Sequence, residues 1–555
     1  MTQQPRRPAW TLEHPDVAFD AVLAGAARAY PDRIALRDGD TTLTHAEVYD
    51  RARRVAQGLR RHGVAPGDVV ALHLPNTIWF PVAYCGVLLA GAAACAVNPL
   101  QPTAVLAEQL AGFGATAVVT HPAFAPSAVE ARTPDVRLTV VVPPTHAAPA
   151  PDNAGPPAGT IPFTGLLANE PLDADPLDPD SLAHLQLTGG TTGRSKGVRI
   201  LHRNLVANLF LSSHPRCGGV PALDTAGGVY YDPVAGTVPP GSELGRGVAL
   251  AVAPLFHGAG LVGLLAGTLM GFTCIIEGRF EPELFLEHIE KYGVTRIFGV
   301  PALFHALLSS PGIATRDLSS VGFIMSGAAP IDTTTLRRIA EAFPRATVTE
   351  VYGLSEATTI LTMQDPRPGA APAPVGSVGI AAPNTVVELR DEEGEPVPAG
   401  QAGEIWAHGP QIADGYHNAP EQTAAQFVDG WLRTGDLGRF DDRGNLHVVG
   451  RCKDMIIYKG YNVYPVQLEE ILGSHPEVAQ SAVVGAPQPG VGEIPIAFVV
   501  PRTPAPDPDL AERLAAFVAE RVAPYQRIRE VRLVDELPLT PTGKVLKREL
   551  RRQLA

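Results

Sequence analysis

Between Leu187 and Gly197 the chain reads LTGGTTGRSKG: four glycines, three threonines, one serine and two cations in eleven positions, with no carboxylate. Such a stretch suits a loop that wraps polyphosphate, because glycines let converging backbone N–H groups approach phosphate oxygens closely. Thr188, Thr191, Thr192 and Ser195 add hydroxyl donors, and Lys196 adds a point charge. The spacing is not that of the common phosphate-binding loop: Lys196 lies three residues after Gly193, and Gly197 follows it where Ser or Thr would stand. The apolar strand AHLQLT precedes the loop and the helix-like HRNLVANLFL follows it, a suitable context for a phosphate site. A flexible surface loop is the competing reading, and the lack of acidic residues weighs against it.

Three further stretches carry groups that fit the same chemistry. TEVYGLSEAT offers Glu356 in a turn of small residues, where a carboxylate can hold Mg²⁺ against phosphates. GWLRTGDLGRFDDRGNLHVVGRCKD offers Asp436 and Arg451, and an ionised Asp can accept hydrogen bonds from both ribose hydroxyls. PLTPTGKVLKREL puts Lys544 in a Gly-containing turn before the last helix. Each alone reads equally well as a surface turn, a helix cap or a solvated cation.

The elements that must position these groups point to an α/β chain of at least two domains, since 555 residues exceed one core. VAFDAVLAGAARAYPDRIAL has helical spacing, and TTLTHAEVYDRARRVAQGLRRHG opens as a capped amphipathic helix. DVVALHL and ATAVVTH are short apolar strands with helices between them, an alternation that favours parallel sheets in layers. Thr145 to Gly159 reads as a Pro/Ala-rich surface loop, and Ser212 to Gly247 as a Gly/Pro-dense block of little periodicity. PNTVVELRDEEGEPVPAGQAGEIWAHG predicts a small β-rich subdomain. After Gly450 the character changes to a compact α+β unit of about a hundred residues, so the expected domains are 1–450 and 451–555.

Composition narrows the partners. A formal net charge of −13 argues against nucleic acid or an anionic membrane surface. Pro81 to Val97 is the most apolar run, too short and too rich in small residues for a membrane span, and it reads as a buried helix. The five cysteines are well separated, with no C-x-x-C pair, which fits reduced thiols. The first residues lack the apolar core of a signal peptide, and a cytoplasmic location is the expectation.

The order of these stretches carries a resemblance. The loop at Thr188, YGLSEAT, GWLRTGDLG, GRCKDMIIYKGYNVYPVQLEE and PTGK follow the sequence of motifs found in the adenylate-forming superfamily. That superfamily includes acyl-CoA synthetases, firefly luciferase and peptide-synthetase adenylation domains, and the similarity runs roughly from Val17 to Leu550. It implies a large N-terminal domain of layered α/β subdomains with a small β-rich subdomain, then a small, mobile α+β C-terminal domain. It also implies a reaction. A carboxylic acid attacks the α-phosphorus of ATP, pyrophosphate leaves, and a thiol then displaces AMP from the acyl adenylate.

By position, the resemblance assigns Thr188, Gly189, Gly190, Thr191, Thr192, Gly193 and Lys196 to the phosphates destined to leave as pyrophosphate. Glu356 acts with Mg²⁺, and Ser355 sits at the α-phosphate. Gly327, Ala328 and Glu350–Val351–Tyr352 frame adenine, while Asp436 and Arg451 hold the ribose. Lys544 bridges the carboxylate and the α-phosphate, where charge develops. Lys453 matches the hinge about which the small domain turns, and Lys459 and Gly460 match the loop that guides pantetheine. His257, in PLFHGAG, matches a gate at the acyl pocket, and a packed core histidine is the alternative.

No aspartate stands near LFHGAGLVG to hold an ammonium, which disfavours an amino acid. Acetate-specific members carry Trp at the position of Gly353, so glycine there is expected to leave room for a longer or bulkier apolar or aromatic acid. Two departures stand. The block Ser212 to Gly247 is long, and Tyr230 and Tyr231 either cover the acyl entrance or belong to an inert excursion. Ile457 replaces a lysine of coumarate-ligase-like members. Free CoA is the expected acceptor. The alternatives are transfer to a carrier-protein phosphopantetheine or a partner enzyme, and a protein that binds adenylate without turnover.

Overall fold

A computed structural model describes residues 8–150, 157–173, 175–188, 195–234, 238, 241–329, 331–367, 370–503, 507–540 and 544–554, with backbone only at 214–216. Two seven-stranded sheets, each parallel except for one edge strand, form the first part of the chain. In one, Val69–His73 lies between Ala93–Ala96 and Ala115–Thr120, and Leu182–Thr188 pairs with Ala93–Ala96. The antiparallel edge strand Lys196–Leu201 completes it. In the other, Val248–Ala251, Arg296–Gly299, Phe323–Ser326 and Thr347–Glu350 run parallel toward one edge. Its antiparallel member is Thr41–Thr44 at the opposite edge.

Apolar periodicity explains the layers. The helix His45–Arg61 starts at Thr44, whose hydroxyl accepts from the Glu47 N–H while the Glu47 carboxylate accepts from the Thr44 N–H. It packs on Trp79–Leu89, a helix buried on nearly every side, which is how the most apolar run of the sequence is used. Among the described residues no helix is long and apolar enough to cross a membrane. The five cysteines are thiols, and four of them are buried.

The block expected to lack periodicity, Ser212 to Gly247, folds differently. The helix His202–Cys217 runs into it, and Gly219–Leu223 then pairs antiparallel with Val229–Pro233. The Asp224 carboxylate ties the hairpin turn by accepting from the Ala226 and Gly228 N–H groups, and it pairs with Arg28 at 2.6 Å. Tyr231 is 2% exposed, shares a 2.6 Å hydrogen bond with Ser213 and meets the Phe210 ring edge-on. The hairpin lies so close to the first helix that a β-carbon on Gly25 would sit 1.8 Å from the Val229 carbonyl. Tyr231 is a core residue and does not cover an acyl entrance. Gly and Pro hid a short hairpin whose burial comes from a distant helix.

Beyond these sheets, Val386–Arg390, Gly403–His408, Trp431–Phe440 and Leu446–Arg451 form an antiparallel sheet. After the single turn Cys452–Asp454 the pairing starts afresh, with Ile456–Tyr458, Tyr461–Val463, Val478–Gln488, Gly492–Pro501 and Glu530–Leu533 in one sheet. The helices Pro465–Gly473 and Leu510–Ala519 cover one face of it with a core of their own.

Candidate active site

Thr188 and Lys196 are opposite partners at one end of an antiparallel strand pair. The expected helix begins only at His202, after the intervening strand Lys196–Leu201. Gly189, Gly190, Thr191, Thr192 and Gly193 lie outside the described residues. Lys196 stands on firm ground. Its strand is bordered by 414–417, where Val198 bridges Tyr416 and the Arg199 and His417 N–H groups donate to the Gly415 and Gly197 carbonyls. The ammonium lies 4.7 Å from the centroid of the Tyr416 ring.

Tyr416 also reaches Glu356. Its hydroxyl donates to Glu356 Oε1 at 2.7 Å, with Gln426 Oε1 a second acceptor at 3.1 Å. Glu356 lies in the single turn Ser355–Ala357, whose Ser355 carbonyl accepts from Thr358 N–H. Among the described residues its second oxygen has no hydrogen-bond partner. One free carboxylate oxygen beside a phosphate loop fits Mg²⁺, which takes one or two carboxylates and fills its shell with phosphate and water. Nothing in the composition of ADGYHN singled out Tyr416; only its pairing with the lysine strand reveals it.

The residues expected to frame the nucleotide follow the carboxyl ends of parallel strands, where α/β sheets bind ligands. Phe323–Ser326 runs into Gly327 and Ala328, and Thr347–Glu350 runs into Val351 and Tyr352. Val351 N–H donates to the Ser326 carbonyl at 3.0 Å, and Gly327 N–H to Gly299 at 3.2 Å. Ala328 holds φ at +66°, a left-handed conformation that costs a non-glycine residue energy and marks functional turns. Tyr352 donates its hydroxyl to Asp436 Oδ2 at 2.8 Å. Asp436 is cross-strand partner to Arg451, whose Nε is 3.4 Å from Oδ1. Burial pushes the Asp436 carboxyl above the usual carboxylate range, against the pull of Arg451 and Tyr352. The strand-end Glu350 accepts from Gly376 N–H at 3.1 Å, and burial pushes it up to about 7, with Glu470 adding to the rise.

Lys544 comes to this cluster from the last segment of the chain. Burial lowers its ammonium, the charge of Arg451 lowers it further, and Asp436 and Glu356 oppose both. His257 caps the helix Gly258–Leu269, and burial, with Lys544 second, brings its imidazole down to about 4. It is therefore neutral at physiological pH. Lys453 sits in the turn after Arg451, lowered by burial and by Arg451. The structure thus gathers Lys544, Asp436, Arg451, Glu356 and His257, with Lys196 on the far side of Glu356.

Two expectations fare differently. Lys459 and Gly460 form the two-residue tip between Tyr458 and Tyr461, with φ of +51° and +81°. Positive φ at both central residues is the type I′ hairpin turn. No contact joins this tip to the cluster among the described residues; Lys459 Nζ instead lies 5.6 Å from the Tyr458 ring centroid. At Gly353 the expected room is absent. A β-carbon there would fall 1.5 Å from the Thr359 carbonyl, because residues 353–360 fold back on themselves.

Residues 23–417 match the family described as AMP-binding enzyme, and residues 467–544 match the AMP-binding enzyme C-terminal domain. A 4-coumarate–CoA ligase of Pinus taeda is 34% identical over 534 residues, covering 95% of this chain and 93% of the relative. A benzoate CoA ligase from Burkholderia xenovorans LB400 superposes with a TM-score of 0.79 at 28% identity, covering 96% of this chain and 99% of that one. An anthranilate CoA ligase in complex with anthranoyl-AMP shares the fold, with a TM-score of 0.84 at 23% identity over 99% and 98% of the two chains. The chain belongs to the AMP-binding enzyme family. It is an AMP-forming acid–thiol ligase.

Proposed function

We propose that this chain activates an apolar or aromatic carboxylic acid, first as the acyl adenylate and then as the CoA thioester. The observation that supports the reading is the buried Lys544 within reach of the charges of Arg451, Asp436 and Glu356, with Asp436 tied to Arg451 and Tyr352. The coumarate and benzoate specificities belong to the relatives named above; the acidic-residue-free turn at His257 supports the same class here. Ile457, 49% exposed beside the Lys459–Gly460 tip where coumarate-ligase-like members carry lysine, keeps a carrier-protein phosphopantetheine open as acceptor.

In this reading the carboxylate oxygen attacks the α-phosphorus while Lys544 stabilises the charge that accumulates on both. Thr188 and Lys196, with the loop Gly189–Gly193, hold the departing pyrophosphate. Ser355 stands at the α-phosphate. Glu356 would hold Mg²⁺, which supplies charge neutralisation at the phosphates when bound. Gly327, Ala328 and Glu350–Tyr352 frame the base, and Asp436 with Arg451 accepts and orients the ribose. His257, uncharged, lines the acyl side without competing for the carboxylate. The units 1–450 and 451–555 then turn relative to one another about Lys453. That turn withdraws Lys544 and brings the Lys459–Gly460 tip to the pantetheine path. Five thiol cysteines suit a reducing, cytoplasmic setting.

ATP–pyrophosphate exchange over short, medium, branched, alicyclic and aryl acids tests the reading, with thioester products identified by mass. Exchange is expected with aryl or bulky apolar acids. ADP as the nucleotide product, or exchange with acetate alone, would overturn it.

A further inference from the structure

Neither Lys196 nor Glu356 has an ion-pair partner among the described residues, although both touch one aromatic side chain, Lys196 over its ring and Glu356 at its hydroxyl. That ring is Tyr416, buried at 5% exposure. The backbone fixes it from three directions. Tyr416 N–H donates to Thr423 Oγ1 at 2.9 Å, and residues 414–417 pair with the Lys196 strand. The same strap reaches the Glu356 turn, where Ala413 N–H donates to the Glu356 carbonyl at 2.9 Å and Thr358 Oγ1 to the Gln411 carbonyl at 2.7 Å. Phe427 packs edge-on against the Tyr416 ring. A side chain held this firmly sets the geometry of whatever leans on it.

We propose that Tyr416 is a positioning residue for the adenylation step, which holds Glu356 in the orientation that takes Mg²⁺ and keeps Lys196 on the phosphate side. The Tyr416 hydroxyl proton occupies Glu356 Oε1 and leaves Oε2 for the metal. Its π face supports the Lys196 ammonium 4.7 Å away. A direct Lys196–Glu356 ion pair would neutralise both groups the phosphates and metal need. Tyr416 gives each of them a contact other than the other, its ring to Lys196 and its hydroxyl to Glu356. Partners that orient a metal-holding side chain affect metal affinity by roughly 10–100-fold when removed.

The inference rests on the reading that Glu356 holds the metal, and three variants separate the two. Tyr416→Phe keeps the ring and its packing while removing the hydroxyl. It should raise the Mg²⁺ concentration for half-maximal ATP–pyrophosphate exchange by about tenfold, and weaken Mn²⁺ binding measured by electron paramagnetic resonance in the presence of ATP by a similar factor. The loss should fall on the metal midpoint and much less on the affinity for metal-free ATP measured by calorimetry. Tyr416→Leu removes the π face as well and should weaken metal-free ATP binding too. Glu356→Gln is the control for the underlying reading. If Glu356→Gln shifts the metal midpoint and Tyr416→Phe leaves it unmoved, the positioning role is wrong. If neither moves it, the assignment of Glu356 to the metal falls first. Equal losses of metal-bound and metal-free ATP binding in Tyr416→Phe would mark a packing role only and overturn the proposal.

Discussion

Lys196 and Lys544 are both linked to Glu356, one through Tyr416 and the other by charge, but are held in opposite ways. Lys196 begins a strand that is paired on one side with Leu182–Thr188 and bordered on the other by 414–417. Among the described residues Lys544 shares hydrogen bonds of 2.8 and 3.0 Å with Thr540 and lies next to an isolated bridge between Leu539 and Val545. Residues flanking that bridge are exposed, Leu539 at 41% and Leu546 at 37%. What keeps Lys544 near Asp436 and Glu356 is charge, working against the burial of its ammonium. A group needed in both halves of a reaction is built into a sheet. On the proposed function, a group that leaves between the half-reactions is held chiefly by charge, which can release it.

The sharpest way to break this contrast is Lys544→Ala. Removing a charge-stabilising group from a transition state costs about 3–4 kcal/mol, so pyrophosphate exchange should fall by roughly 10²–10³-fold. Thioester formation from supplied acyl adenylate should be largely intact, because Lys544 is then outside the cleft. Rapid-quench assays of the two half-reactions read this directly, and equal losses would show that Lys544 never leaves. Gly460→Leu probes the reverse arrangement. The tip has space around it, with nothing within 4 Å of a β-carbon, but φ is +81°. A leucine there strains the I′ turn and occupies the thiol path, so CoA transfer should drop on the order of a hundredfold while exchange persists. Exchange lost in parallel with transfer would tie the tip to adenylation instead.

How much of this contrast was legible in the sequence depends on the type of constraint. The capped helix after Thr44, the apolar helix Trp79–Leu89 and the strand before the phosphate loop follow from periodicity and capping, which act within a few residues. Asp436 and Arg451 were readable as motifs, but their cross-strand pairing and the Tyr352 hydroxyl between sheets were not. Tyr416 was invisible for the same reason: its meaning comes from residues 60 and more positions away. The hairpin Gly219–Pro233 was misread because its turn-forming residues mask a buried Tyr231 that only the first helix explains. Gly353 shows the converse error, since a missing side chain does not make a cavity where the backbone itself returns.

A smaller effect tests how the two lobes are held in the arrangement that presents Lys544. The helix Pro465–Gly473 brings Glu470 toward Glu350 and Asp332, and a β-carbon placed on Gly473 would lie 3.7 Å from the Asp332 β-carbon. Around them, Glu469 pairs with Lys547 at 2.7 Å and Asp332 faces His305 at 3.9 Å, with Arg338 and Arg502 beyond it. Burial is the main cause of the rise of Glu350 to about 7 from an ordinary 4.5, and Glu470 adds to it, so beside Glu470 it binds more protons in that interval. Packing is therefore favoured at low pH and weakens as pH rises toward and through 7. The ratio of exchange to thioester formation should fall across this window. Glu470→Gln removes one of the like charges and should flatten the fall by roughly two- to threefold, the scale of one partly exposed charge. An unchanged pH profile would remove the carboxylates from the control of domain packing.

The mildest prediction addresses the sheet-built side alone. Thr44 accepts from Glu47 N–H at 3.2 Å and receives the Glu47 carboxylate on its own N–H at 2.8 Å, which starts the helix His45–Arg61 far from either lysine. Thr44→Ala removes half of that reciprocal cap and should cost about 1 kcal/mol of stability. Denaturant unfolding followed by circular dichroism should therefore show an earlier first transition. If Lys196 is held by its own strand pairing, a scaffold loosened at this distance loses stability without changing the ratio of the two half-reactions. A shift in that ratio would mean that the lysine side is as yielding as the loop side. The contrast between a built-in and a carried group would then have to be drawn elsewhere in the molecule.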